Sequence, residues 1–107
     1  MTDQEILIPA ALAAGRDPLC WSRQIHGDRA WDPLNDDGDA LRLAASLLMS
    51  VDIQLTMVVI HWAAPMKEDC RQRVFIRIEV PTYTLGYEAA TRLAIVRAAA
   101  EIGKLSQ

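Results

Sequence analysis

The sequence predicts an α+β fold: an antiparallel β-hairpin, two to three strands wide, with about three helices packed on it. Three observations predict it. Residues 38–49 and 86–104 repeat apolar side chains at helical spacing. Residues 51–62 and 71–80 alternate at period two and stand close enough in sequence to pair. The chain has 107 residues, 51% hydrophobic and 23% charged, which fits a single α+β domain over 1–107 with one modest core.

Each element has its own warrant. Residues 3–14 read as a helix, capped by Thr2 or Asp3 and stopped by Gly15. Pro9 is its difficulty, because an interior proline lacks the amide and clashes with the preceding turn, at about 3 kcal/mol. A kinked helix is expected, the alternative being a helix that starts at Pro9. Residues 16–36 read as irregular, with Trp21 and Trp31 as pins and a short strand possible over 19–24. The run Asp37-Gly38-Asp39 opens the second helix. On it Ala40, Leu41, Leu43, Ala44, Leu47 and Leu48 form the expected core face, and Arg42, Ala45, Ser46 and Met49 the other.

In the first strand Val51, Ile53, Leu55, Met57 and Val59 are expected to point one way, and Asp52, Gln54, Thr56, Val58, Ile60 and Trp62 the other. In the second, Gln72, Val74, Ile76, Ile78 and Val80 share a face opposite Arg71, Arg73, Phe75, Arg77 and Glu79. Ala63 to Cys70 reads as the hairpin loop, and Pro81 ends the pairing. Val58, Ile60, Trp62 and Phe75 then lie on the outer face, covered by segment 16–36 or open to a partner.

The last helix, residues 86–104, carries two apolar stripes. Ala89, Leu93, Val96 and Ala100 make one; Ala94, Ile95, Ala98, Ile102 and Leu105 make the other. A Glu88/Arg92/Ala99 seam and an Arg97/Glu101/Lys104 seam separate them, and Glu88 and Arg92 are spaced for an i,i+4 pair. Two stripes need two neighbours. One is the sheet; the other is a helix of the same chain, a second subunit or a foreign protein. Gly103 is expected to stop this helix.

Few residue patterns point to chemistry. The net charge of −3 gives no general nucleic-acid footprint. It is uneven, with nine acidic against four basic residues in 1–53 and five against seven in 54–107. The cluster Asp32, Asp36, Asp37, Asp39 resembles a calcium loop, yet alignment on Gly38 puts Pro33 and Ala44 at the end positions, so helix capping is the expected role. Cys20, Cys70, His26 and His61 lack zinc-site spacing, and two cysteines without a signal peptide are expected as free thiols. There is no phosphate-binding glycine motif, and no apolar run long enough to span a bilayer. Neither an enzyme nor a cofactor or metal is expected, and the location is expected to be the cytoplasm of a host bacterium.

Three stretches together resemble small, uncharacterised phage and prophage proteins of the phage ABA sandwich type. They are Trp31-Asp32-Pro33-Leu34-Asn35-Asp36-Asp37-Gly38-Asp39-Ala40-Leu41-Arg42-Leu43-Ala44, the double-strand middle, and Tyr87-Glu88-Ala89-Ala90-Thr91-Arg92 with Ile95 through Gly103. The resemblance implies a helix–sheet–helix domain from a bacteriophage or prophage and carries no catalytic motif. The chain departs from the pattern at Pro9 and Leu93.

The expected function is a non-enzymatic, phage-encoded binding protein, an inhibitor of a host defence complex such as CRISPR–Cas. Its contact residues would be Ile95, Ala98 and Ile102 with Arg97 and Glu101 on the last helix, and Phe75, Arg73 and Arg77 on the sheet. The alternatives are a self-associating accessory protein, a homodimer through the last helix, and a weak single-strand nucleic-acid binder through Arg71, Arg73 and Arg77.

Overall fold

In the computed structural model, which describes residues 3–15, 31–64 and 74–105, the apolar stretch from Ser50 to Ala63 folds back on itself. It makes two strands, β1 (Ser50–Ile53) and β2 (Met57–Ala63), joined by a tight turn in which the Gln54 amide donates to the Met57 carbonyl at 2.8 Å. β3 (Phe75–Pro81) completes a three-stranded antiparallel sheet in the order β1-β2-β3. Three helices accompany it among the described residues: α1 (Asp3–Ala13), α2 (Asp37–Ser46) and α3 (Tyr87–Leu105). The α+β class expected from the sequence is the one found, with the wider of the two sheets.

The turn reverses the expected facing of β2. Val51 pairs with Ile60 and Ile53 with Val58, and directly opposed residues share a face. Val58 and Ile60 therefore belong to the core face, with Val80 of β3, and all three are buried. Phe75 lies on the opposite face, opposite Ala63, and is exposed. Trp62 is half-buried on the core side, and its indole N–H donates to the Leu47 carbonyl at 2.9 Å. The expected outer patch thus divides, with only Phe75 remaining on the face opposite the core, where Val59 is buried and Phe75 exposed.

The β1–β2 turn is latched to the loop before α3. The Leu55 carbonyl accepts from the Thr82 hydroxyl and the Tyr87 hydroxyl, each at 3.0 Å, and the Thr82 amide donates to the Thr56 carbonyl at 3.0 Å. Thr82 is buried with its hydroxyl satisfied, so the latch meets the requirement that buried polar groups be paired.

α3 touches each of the other five elements. Its buried residues include Ala90, Ala94, Ile95, Val96, Ala98, Ala99, Ala100, Ile102 and Gly103, which cover nearly the whole circumference. Arg97, Glu101 and Lys104 form the seam that meets solvent in its C-terminal half. The second apolar stripe is occupied within the chain, and Ala99, assigned to the other seam, is fully buried. Glu88 and Arg92 form no pair; Arg92 instead donates through Nε to the Leu34 carbonyl at 2.9 Å and pairs with Asp37 at 2.6 Å. A contact that fixes the start of α2 to α3 and leaves the guanidinium mostly buried outcompetes an exposed i,i+4 pair worth only a few tenths of a kcal/mol.

α1 runs unbroken through Pro9. An isolated helix would not tolerate this, but Ile6, Leu7, Ala10 and Ala11 are buried in the common core, and packing offsets the local penalty. Gly103 does not stop α3; the helix continues to Leu105. Its value is its missing Cβ. One built there would lie 2.6 Å from the Pro9 carbonyl carbon and nearer still to the oxygen, so the glycine admits the backbone of α1 at close range.

α2 starts where expected, with the Asp36 carboxylate accepting from the Asp39 amide at 2.7 Å. It ends earlier. The Met49 amide donates to the Ala44 carbonyl at 3.0 Å and the Leu48 amide to the Ala45 carbonyl at 3.2 Å, the paired bonds of a Schellman stop. Leu48 takes the left-handed position (φ 58°), which glycine normally fills, and is 86% exposed rather than in the core. Leu41 is exposed as well, while Met49 packs against the core. Leu48→Gly removes the steric cost of that conformation and loses little packing; urea unfolding is expected to show a gain of about 0.5–1 kcal/mol. A loss of stability would mean that Leu48 makes contacts its exposure does not suggest.

Candidate functional site

α2 and the edge strand β1 each contact α3, but a gap remains where the three meet. Between them runs an open groove of about 350 Å³. Ala40 and Leu41 line it from α2, Val51 and Ile53 from β1, and Tyr87, Thr91 and Ile95 from α3. Asp37, Glu88 and Arg92 stand at its sides. Leu41, Ile53, Tyr87 and Val51 are 68%, 55%, 46% and 38% exposed, so a folded domain holds four large apolar side chains together in water. Ile95 forms the floor and is buried.

The charges around it are arranged. Arg92 is committed to Asp37 and the Leu34 carbonyl. Arg42 is committed to Asp39 at 2.7 Å, with Asp36 3.9 Å away. The second Asp39 oxygen accepts from the Asp32 amide at 2.9 Å, and the Asn35 side-chain amide donates to Asp32. The acidic run after Trp31 is therefore the scaffold of the α2 N-terminus, with carboxylates accepting from amides and a guanidinium. No group of three or more His, Cys, Asp or Glu poised for a metal occurs among the described residues.

The contact residues expected from the sequence fall into separate places. Ile95, Ala98 and Ile102 are buried against this chain's own elements, α1, α2 and the sheet, and so form no exposed stripe together; of the three, Ile95 borders the groove, as its floor. Arg97 and Glu101 are exposed on the α3 seam, where Glu101 lies 3.4 Å from Lys104. Phe75 and Arg77 lie on the opposite face of the sheet, with Arg77 paired to Glu79 at 2.8 Å. With Leu48, Ser50 and His61 they border a second depression, of about 630 Å³. Arg73 and Arg71 lie outside the described residues, as do Cys20, Cys70, His26, Trp21, the possible strand over 19–24 and the hairpin loop from residue 65 onward. Among the described residues Arg77 alone represents the basic strip, and it is paired with Glu79.

Sequence reasoning missed the groove. The periodicity puts Leu41, Val51 and Ile53 all on core-facing sides, and nothing in it joins them with Tyr87 in an exposed groove. The available signal was Leu41's position at the margin of the α2 apolar stripe, about 100° from its neighbour Ala40.

No helix of the described residues is long and apolar enough to cross a membrane. No protein-family model, curated protein or solved structure matches the chain.

Proposed function

We propose that the protein is a non-enzymatic binding protein that works by occupying a surface of another macromolecule. The observation that carries this reading is the groove, where Leu41, Val51, Ile53 and Tyr87 are gathered in solvent around one concave surface. The resemblance to phage ABA sandwich proteins supports a phage origin, and the small size of the domain suits an inhibitor of a host defence complex such as CRISPR–Cas. Expression of the protein in a CRISPR-immune host tests this. A targeted phage should regain plating efficiency, and Ile53→Lys, which reverses the character of the groove without touching the core, should abolish the gain. Unchanged plating with the unmodified protein would overturn the host-defence reading.

A further inference from the structure

β1 is an edge strand, and its outer side is unoccupied among the described residues. Because the Gln54 amide turns inward to Met57, the alternation of an antiparallel ladder turns Asp52 and Ser50 inward as well. The amides and carbonyls of Val51 and Ile53 then face outward. These are also the two residues whose side chains line the groove. A further strand laid against β1 would bond to Val51 and Ile53 and, through the same opposed residues, place its side chains over Leu41, Tyr87 and Ile95. Its intervening side chains would fall on the other face beside Asp52. That residue is exposed and accepts from the Gln54 side-chain amide at 2.8 Å.

We infer that β1 accepts an extended segment with alternating apolar and basic residues, paired as a fourth strand, from the macromolecule this protein binds; the inference rests on reading the protein as a binding module. Charge selects the occupant. Glu88 lines the groove and Asp52 projects from the other face of β1, while Arg92 and Asp37 in the groove wall neutralise each other. A lysine or arginine beside Asp52 or Glu88 is attracted, and a carboxylate is repelled. The same charges disfavour a second copy, because a two-fold β1–β1 pairing brings two acidic margins together. Main-chain bonds would supply affinity and the groove would supply selectivity, as in other strand-addition complexes.

The probe is a capped heptapeptide of alternating lysine and valine, titrated into the 15N-labelled full chain at low salt. Saturable binding with a Kd below about 1 mM is expected, with the largest amide shifts at Ser50–Ile53 and in the groove lining. Three changes should each weaken it roughly tenfold or more: glutamate for lysine in the peptide, N-methylation of its valines, and Ile53→Lys in the protein. Asp52→Lys, at an exposed position, should weaken the lysine peptide and strengthen the glutamate peptide. Equal binding of the two peptides, shifts centred on Leu48 and Phe75, or insensitivity to N-methylation would overturn strand addition at β1. So would self-association abolished by Ile53→Lys, because the occupant would then be a second copy. Restored plating with no peptide binding would refute the strand-addition inference alone; peptide binding as described with no restored plating would refute the host-defence target alone.

Discussion

Gly103→Ala is expected to destabilise the fold by about 3–5 kcal/mol, seen as a fall in Tm of roughly 15–25 °C by calorimetry or circular dichroism. In an ordinary helix the change would help, since alanine is favoured over glycine by about 1 kcal/mol. Here the added methyl meets the Pro9 backbone, 2.6 Å from its carbonyl carbon, and a carbonyl group cannot rotate aside as a flexible side chain can. Relief would require α1 to move off α3, which exposes Ile6, Leu7, Ala10 and Ala11. A small domain has only about 5–15 kcal/mol of net stability, so the substitution consumes a large share of it. Glu101→Ala, two residues earlier on the solvent seam, should change stability by less than about 0.5 kcal/mol. Equal melting of Gly103→Ala and the unmodified protein would contradict the close helix approach.

Ala98→Glu is expected to leave the chain largely unfolded at 25 °C, with a cost above about 4 kcal/mol read from urea denaturation or loss of amide dispersion. Ala98 is fully buried, so a glutamate there adds volume to a filled site and removes a carboxylate from water without a prepared partner. Arg97→Glu, one residue earlier, reverses a charge on the exposed seam and should leave the fold within about 0.5 kcal/mol. The contrast separates two accounts of the second apolar stripe. As a docking surface, it would tolerate Ala98→Glu and lose only association; as an internal contact, it loses the monomer itself. A folded monomeric Ala98→Glu would restore the docking account.

Much of the fold was legible in local chemistry. The α2 start follows from Asp36 and the acidic first turn, and Gly15 with φ 71° marks the end of α1. Where the reading failed, local signals were weak or pointed elsewhere. The Gln54–Thr56 turn contains no glycine, proline or asparagine, so period-two alternation predicts one long strand where a hairpin stands and inverts the facing of every later residue in it. The length of the stretch was the available warning, since strands average five or six residues. Gly103 near a helix end has the pattern of a stop signal, and only the position of Pro9 reveals it as a contact. Leu48 took a glycine's place in the backbone, which composition cannot announce.

The sequence by itself determined the α+β class, the three helical segments, the capping of α2 and the fact that α3 must pack on two sides. Periodicity and capping are properties of a few consecutive residues, and they carry that information directly. The tertiary structure decided which neighbours satisfy α3, that Ile95, Ala98 and Ile102 are internal, and that Leu41, Val51, Ile53 and Tyr87 meet in a groove. An apolar stripe records that water must be excluded there, but not by which surface. That choice depends on the chain path, and in particular on the close crossing of α1 and α3 that Gly103 permits.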